Sequence, residues 1–304
     1  MPNPLLSAET RILPALVTPL LPDGRLDERS AERLIDHLYA QGVGGLYVTG
    51  STGEGIYLDF EIRKRVVEIA VSRSQGHGQV IVHVGAIQAA KTFELAEHAG
   101  RVGAAAISSI PPFAGGYSWD EVHAFYAELG RRSPLPVVAY HIPGLTGQHR
   151  SIAELASLLK LPNIAGYKYT APDMYVLQRL ATRFGEGQIL YNGQDEALAL
   201  GLQAGAHGGI GTTYNFMPAL FVQLFRHCQA RQFTEAQAVQ RQINDIIEPL
   251  LMFQGLAATK QILVWQGLID HAACVFPRAA LNEAQQRQLR DLLSTTAIAG
   301  TLEH

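Results

Sequence analysis

Residues 13–49 read LPALV (13–17), TPLLPDGRLDERSAERLIDHLYAQGVG (18–44) and GLYVT (45–49), which makes one complete strand–helix–strand unit. The two apolar runs show no polar alternation, as is typical of strands buried on both faces of a parallel sheet. Between them, Asp27 can cap a helix that ends at Gly42 and carries one apolar face. The residues of that face are Ala31, Leu34, Ile35 and Leu38. The unit predicts parallel strands connected by helices.

The same unit recurs along the chain. Six further apolar runs alternate with amphipathic helical patterns and span 80–84, 104–110, 136–141, 164–168, 188–192 and 208–212. Asp59 can cap the helix that follows the second run. Eight such units predict a closed (β/α)8 TIM barrel, an α/β fold. A doubly wound open sheet is the alternative, but TPLLPDG (18–24) lacks the glycine pattern of a dinucleotide-binding loop.

Helical patterns continue after the eighth run, beyond what a bare barrel needs. We expect residues 1–215 to form the barrel strands and most of its helices. Residues 216–298 are expected to form a C-terminal helical region that completes and caps the barrel, or that makes a subunit contact. Residues 301–304, TLEH, resemble the start of an expression tag, so we assign them no function.

The composition limits the class of partner. The 304 residues are 47% hydrophobic and 17% charged, with a net charge of −3, so neither nucleic acid nor an anionic membrane is an expected partner. We see no signal peptide and no run of about 18 apolar residues, and therefore expect a cytoplasmic protein. Cys228 and Cys274 are expected to be buried thiols in helices rather than a disulfide.

The sixth apolar run ends at Lys168, in the motif GYKYT (166–170). Catalytic groups of such barrels lie at the carboxyl ends of strands. A buried ammonium is unfavourable, so the pKa of Lys168 should fall, and a neutral amine is a nucleophile toward carbonyl carbon. The alternative is a lysine paired with a carboxylate at the barrel mouth. The other lysines lie in or beside helices, where a solvated or snorkelling amine is expected: Lys64, Lys91, Lys160 and Lys260.

Polar motifs follow several other runs. GSTGE (50–54) places Ser51 and Thr52 where their hydroxyl and N–H groups suit a small anion such as a carboxylate, or form an ordinary polar turn. YHIPG (140–144) begins with Tyr140, which can relay protons or serve as a core aromatic. GQDE (193–196) supplies Asp195 and Glu196, which suit polyol hydroxyls, a metal or a helix N-terminus. GTTYN (211–215) adds a short polar segment after the eighth run.

A metal centre is not expected. The eleven histidines are dispersed, with no His-Glu-x-x-His motif and no Cys/His cluster. His83 and His141 lie at strand ends, where a rim metal stays open as an alternative. We favour a hydrogen-bonded structural histidine at both positions.

The motifs resemble one family when they are considered in order. GSTGE (50–54), Tyr140 with the following Ile-Pro, Lys168 and YNGQDE (191–196) resemble the superfamily of class I aldolases that contains the N-acetylneuraminate lyases and the dihydrodipicolinate synthases. GGIGTTYN (208–215) extends the resemblance to nearly the whole chain. The lyase branch fits best, because Leu145 stands where the synthases commonly have an arginine for a second carboxylate.

The resemblance implies a catalytic set of Lys168, Tyr140, Ser51 and Thr52. Lys168 would form a Schiff base with the 2-oxo acid, while Tyr140 shuttles protons. The implied reaction is cleavage of N-acetylneuraminate to N-acetylmannosamine and pyruvate by a homotetramer that needs no cofactor and no metal. The implied substrate-binding residues are Ser51, Thr52, Thr170, Gly193, Asp195, Glu196, Gly211 and Thr212.

Two positions depart from the family pattern. Thr212 stands where serine is usual and keeps the hydroxyl group. Ala114 stands where many members have a second tyrosine for the proton relay, and Tyr117 is the nearby candidate for that role. The alternatives that stay open are another pyruvate aldolase or dehydratase for a 2-keto-3-deoxy sugar acid, a dihydrodipicolinate synthase, and a non-catalytic sensor of 2-oxo acids.

Overall fold

The computed structural model describes residues 3–7, 11–113 and 115–302. These residues include eight parallel strands in one sheet, in the order β1-β8-β7-β6-β5-β4-β3-β2. The strands are β1 Ile12–Pro14, β2 Gly45–Val48, β3 Gln79–His83, β4 Ala106–Ser109, β5 Val137–His141, β6 Ile164–Tyr169, β7 Ile189–Asn192 and β8 Gly208–Gly211. The predicted (β/α)8 TIM barrel is confirmed.

In the described residues, the barrel closes between β1 and β2 at a bridge. Ala15 pairs in parallel with Tyr47, and the N–H of Leu16 donates to the carbonyl of Tyr47 over 2.9 Å. The N–H of Val17 instead donates to Oδ1 of Asn215 over 3.2 Å, and Nδ2 of Asn215 donates to the carbonyl of Ala15 over 2.7 Å. A side chain thus satisfies buried backbone groups where the strand pairing stops.

Helices surround the barrel and extend beyond it. They are α1 Glu28–Ala40, α2 Phe60–Ser74, α3 Ala89–Val102, α4 Trp119–Arg132, α5 Pro143–Thr146, α6 Ile152–Leu158, α7 Met174–Phe184, α8 Leu198–Gln203, α9 Pro218–Gln229, α10 Phe233–Leu250, α11 Gly255–Trp265 and α12 Glu283–Leu293. Asp27 caps α1 by accepting from the N–H of Ser30 over 3.1 Å, as predicted. Asp59 precedes α2 but makes no side-chain capping bond. The predicted side-chain bond is therefore wrong, although Asp59 is the residue at the cap position and its carbonyl accepts from the N–H of Arg63 over 3.0 Å.

The core has two parts, as expected for a barrel filled by side chains. The inner part lies within the strands and includes Tyr47, Tyr140 and Tyr191. Leu5 belongs to it and is fully buried, in the short 3₁₀ helix Pro4–Ser7. The outer part lies between the strands and the helices. The inner aromatic residues therefore pack against the side chains at the end of the barrel.

The C-terminal helices support the loop that follows β7. On α10, Gln240 donates to the carbonyl of Asp195 over 3.1 Å and accepts from the N–H of Ala199 over 2.9 Å. The division of the chain at about residue 215 stays a prediction. Among the described residues, no helix has the length and apolar character that crossing a membrane requires.

Both cysteines are free and half-buried, and Cys228 lies in α9. The predicted helical setting is confirmed for Cys228 and wrong for Cys274, which lies in an irregular segment, and both thiols are less buried than predicted. The backbone of that segment bonds to charged side chains. Ala273 accepts from Lys260, and Val275 donates to Glu54.

Candidate active site

Lys168 is the next-to-last residue of β6 and is 5% exposed. Its Nζ lies 4.2 Å from the ring centroid of Tyr47 and 4.3 Å from that of Tyr140. The register of β5 and β6 pairs Tyr140 with Lys168, so the strands themselves bring the two side chains together. Aromatic faces attract a positive charge. The rings can therefore stabilise a protonated amine or a cationic imine at this point.

Tyr47, Tyr140 and His83 form an aromatic group next to the lysine. The centroid distances are 6.1 to 6.2 Å, with Tyr140 edge-on to the other two rings. The hydroxyl of Tyr47 donates to Oγ of Ser108 over 3.1 Å. Burial, followed by the neighbouring Tyr140, raises the pKa of Tyr47 well above its usual range. Tyr47 therefore stays protonated and acts through its ring face.

His83 is neutral and hydrogen-bonded. Burial, together with the positive charges of Arg63 and Lys168, lowers the pKa of His83 to about 3. Its Nε2 accepts from the N–H of Ile110 over 3.2 Å, so its proton lies on Nδ1. Across the part of the chain that the structure describes, no group of three or more His, Cys, Asp or Glu side chains is placed to bind a metal ion.

The loop after β2 carries Ser51 and Thr52 in a tightly folded backbone. Thr49 and Glu54 have φ of 57° and 55°, a left-handed conformation that is uncommon for residues with a side chain. A Cβ atom at Gly55 would lie 1.8 Å from the carbonyl oxygen of Thr49, so the loop requires glycine there. Ser51 is exposed and Thr52 is 9% exposed. The loop thus presents one open and one sheltered hydroxyl group.

Thr212, which follows β8, meets this loop across the end of β1. Its Oγ1 lies 2.6 Å from Oγ1 of Thr52, and either hydroxyl can be the donor. Both threonines, together with Ser51 and Arg278, line a cavity of about 320 Å³. The hydroxyl groups therefore face a space that can hold a small ligand.

Asp195 is a buried carboxyl group beside the loop that follows β8. Its Oδ2 accepts from both the N–H and the hydroxyl of Thr213, each over 2.7 Å. Its Oδ1 lies against Gly211, where an added Cβ atom would be 2.1 Å away. Burial raises the pKa of Asp195 to about 6, although the two bonds from Thr213 act in the opposite direction. Glu196 differs from its neighbour, because it is exposed.

Thr170 and Gly193 lie in contact where β6 and β7 end. The N–H of Gly193 donates to the carbonyl of Tyr169 over 2.8 Å, and that of Thr170 donates to the carbonyl of His141 over 2.8 Å. A Cβ atom at Gly193 would lie 1.8 Å from Oγ1 of Thr170, so only glycine fits. Within the described residues, Oγ1 of Thr170 is buried without a hydrogen-bond partner. Buried polar groups normally have a partner, so this hydroxyl group is an exception.

The model of the dihydrodipicolinate synthetase family matches residues 8–296. The chain belongs to this family. It is 34% identical over 285 residues to the N-acetylneuraminate lyase of Citrobacter koseri, covering 92% of this chain and 95% of that relative. It is 37% identical over 257 residues to the N-acetylneuraminate lyase of Rhizobium meliloti, covering 84% and 85%. A solved structure, the catalytic lysine mutant of the Ruminococcus gnavus sialic acid aldolase, superposes with a TM-score of 0.91 at 28% identity, covering 99% of this chain and 97% of that one.

Membership of the dihydrodipicolinate synthetase family confirms the resemblance inferred from the motifs. The residues expected to form the site all lie at or beyond the carboxyl ends of their strands. The structure brings eight of the ten together in four pairwise contacts: Lys168 with Tyr140, Thr52 with Thr212, Thr170 with Gly193, and Asp195 with Gly211. Ser51 and Glu196 take part in none of these contacts.

Three positions that bear on the branch of the family and on the proton relay lie near the loops after β4 and β5. Leu145, in α5, is 48% exposed and offers only hydrocarbon. Tyr117 is 38% exposed before α4, and its carbonyl accepts from Nη2 of Arg150 over 3.4 Å. Ala114 lies outside the described residues, so the missing relay tyrosine stays a prediction.

The sequence did not identify Tyr47 as a site residue, because it resembles the other apolar residues of its buried run. The expectation for Lys260 is wrong, because its side chain is fully buried rather than solvated or snorkelling. Its Nζ lies 2.7 Å from Oε2 of Glu54, a residue 206 positions earlier. A signal was present, since LAATKQILVW (256–265) is apolar on all sides and therefore predicts a buried helix.

Proposed function

We propose that this chain is a Schiff-base aldolase that cleaves N-acetylneuraminate to N-acetylmannosamine and pyruvate through an imine on Lys168. The observation that carries the proposal is the buried amine of Lys168 at the carboxyl end of a barrel strand, held between two aromatic faces. Relatives named N-acetylneuraminate lyase, and a similar sialic acid aldolase described as having a catalytic lysine, support it.

In the proposed mechanism, the hydroxyl and N–H groups of Ser51 and Thr52 bind the carboxylate of the open-chain 2-oxo acid. Once its ammonium group has lost a proton, the amine of Lys168 attacks C2, and loss of water leaves a protonated imine. Tyr140 shuttles the proton as the C4 hydroxyl is deprotonated, and the C3–C4 bond breaks. The bonding electrons pass to the imine, which becomes an enamine, while C4 leaves as the aldehyde of N-acetylmannosamine. Protonation at C3 and hydrolysis release pyruvate and restore the amine.

The sugar tail would lie against the ends of strands β6, β7 and β8. The unpartnered hydroxyl of Thr170 and the exposed carboxylate of Glu196 are suited to its hydroxyl groups. The remaining residues proposed for this role are Gly193, Asp195, Gly211 and Thr212. The imine supplies the electron sink that a metal or organic cofactor supplies in other enzymes, so the mechanism includes neither. A cytoplasmic homotetramer is part of the proposal on the strength of the family resemblance.

The decisive experiment is reduction with borohydride in the presence of pyruvate, followed by intact mass and peptide mapping. We expect a reduced pyruvyl adduct on Lys168 and its loss in Lys168→Met. Lys160→Met is the matched control, because that lysine is exposed just outside α6. An adduct that maps elsewhere, or release of pyruvate from N-acetylneuraminate by Lys168→Met, would contradict the mechanism.

A second candidate is an aldolase for another 2-keto-3-deoxy sugar acid. It is favoured by the engagement of Oδ2 of Asp195 with Thr213, which leaves one carboxylate oxygen for substrate hydroxyl groups. Pyruvate release measured over a panel of 2-keto-3-deoxy acids separates the two candidates. Greatest kcat/KM for N-acetylneuraminate supports the first. An adduct without release from any acid would point to a sensor of 2-oxo acids.

A further inference from the structure

Glu54 is a fully buried carboxylate that the proposed chemistry does not use. Its Oε2 accepts from Nζ of Lys260 over 2.7 Å. Its Oε1 accepts from the N–H of Val275 over 2.9 Å and from Nη1 of Arg278 over 3.0 Å. Lys260 is equally buried and also donates to the carbonyl of Ala273 over 2.7 Å. We call these five residues the Glu54 cluster.

The cluster contacts the loop after β2 that carries Ser51 and Thr52. Glu54 is the last residue of the GSTGE motif (50–54), two positions after Thr52. Its own backbone is left-handed, and its N–H donates to the carbonyl of Ser51 over 3.1 Å. A strained backbone of this kind persists only where its surroundings determine it. The contacts of Glu54 with α11 and with the 273–278 segment provide such surroundings.

Arg278 connects the cluster to the cavity. Its side chain is 30% exposed, whereas that of Glu54 is fully buried. It lines the same cavity of about 320 Å³ as Ser51 and Thr52, on the side of that loop that faces α10 and α11, and the lining does not include Lys168. A guanidinium group at the edge of a cavity raises the positive potential there and so favours an anionic ligand.

We propose that Glu54 and Lys260 are positioning residues for Ser51 and Thr52, and that Arg278 adds to the attraction for the substrate carboxylate. Neither Glu54 nor Lys260 touches the substrate. The cluster sets the affinity for the 2-oxo acid and leaves the chemistry at Lys168 largely unchanged. This inference rests on the proposed function.

A role confined to stability predicts something different. Removing one partner leaves a buried charge unpaired and destabilises the fold, whereas replacing both with neutral residues of similar size costs much less. The double variant Glu54→Gln with Lys260→Met therefore removes the ion pair at a smaller cost to the fold than either single substitution. If the cluster only stabilised the fold, this variant would bind pyruvate as the wild type does.

The experiment measures borohydride trapping on Lys168 over a range of pyruvate concentrations, which gives a half-saturating concentration and a plateau rate. In the double variant we expect the half-saturating concentration to rise on the order of tenfold and the plateau to stay near that of the wild type, because the loop is displaced and the amine is not. Glu94→Gln is the matched control, since that carboxylate pairs with Lys64 and Lys91 on the surface of α3. It should leave both quantities unchanged.

An unchanged half-saturating concentration in a double variant with a native melting temperature would overturn the inference. If the double variant does not fold, Arg278→Met and Arg278→Lys supply the test, because this side chain is partly exposed. We expect the half-saturating concentration to rise in Arg278→Met and to recover in part in Arg278→Lys. Equal values in both variants and the wild type would also overturn the inference. A wild-type chain without any adduct would overturn the proposed function itself, which is a distinct result.

Discussion

The buried carboxyl group of Asp195 predicts a specific dependence of stability on pH. Its pKa in the folded protein is about 6, against an ordinary value of 3.8, and burial is the main cause. A group whose pKa is raised on folding contributes stability below its unfolded pKa, and that contribution is lost as the pH rises through the folded pKa. The difference between 6 and 3.8, at about 1.4 kcal/mol for each pH unit, gives about 3 kcal/mol in total. About 2 kcal/mol of this is lost between about pH 4.5 and about pH 7.5.

Asp195→Asn removes the titratable carboxyl group and keeps nearly the same side-chain shape. Both bonds from Thr213 end on the same oxygen, Oδ2, so an amide oxygen can accept both. Any cost of the substitution that is independent of pH cancels when two pH values are compared. We expect the free energy of unfolding of the variant, relative to the wild type, to improve by about 2 kcal/mol from about pH 4.5 to about pH 7.5.

Urea titrations at the two pH values measure this difference. Glu196→Gln is the control, because the neighbouring carboxylate is exposed rather than buried. The reasoning fails if the relative stability of Asp195→Asn is constant within about 0.5 kcal/mol across the range. It also fails if Glu196→Gln shows the same change with pH.

Two further substitutions test the contacts around the lysine and between β6 and β7. Tyr47→Phe keeps the ring against Lys168 and should trap pyruvate at a rate close to that of the wild type, whereas Tyr47→Leu removes a contact of about 1–2 kcal/mol and should trap roughly tenfold more slowly. Equal rates in the two variants would contradict a role for the ring face. Gly193→Ala forces a methyl group against Thr170 and should lower the free energy of unfolding by about 1–3 kcal/mol. Adding Thr170→Ala should recover part of that loss in urea titrations, and strictly additive effects would rule out the contact.

The strands were predictable because burial on both faces leaves an unbroken apolar run in the sequence. Each run predicts a strand whose bounds the structure matches within a few residues. The first differs most, since LPALV (13–17) predicts a strand to Val17 and β1 ends at Pro14. There the side chain of Asn215, about two hundred residues later, replaces the backbone partner, and no local pattern reveals such a bond.

The candidate site was predictable where one residue type stands out in its surroundings. Lys168 stands out because a charge ends an apolar run. Tyr47 does not, because a tyrosine in a buried strand is ordinary, and only the barrel geometry shows that its ring faces Nζ of Lys168. The pairing of Lys260 with Glu54 depends on a contact between distant segments. The family resemblance supplied the roles of the remaining residues.

The closure of the barrel has a consequence for ligand binding. The bridge of Ala15 with Tyr47 joins β1 to β2, and Thr52 meets Thr212 above the same gap. A carboxylate that engages Thr52 therefore adds a link where β1 and β2 pair through a single bridge. A ligand that binds only the folded state stabilises that state by mass action. The free energy of local opening should therefore increase most where β1 and β2 meet. Bound substrate would then slow hydrogen exchange at Leu16 and Val17 more than at strands on the opposite side of the barrel. The substrate itself would help to hold the barrel closed.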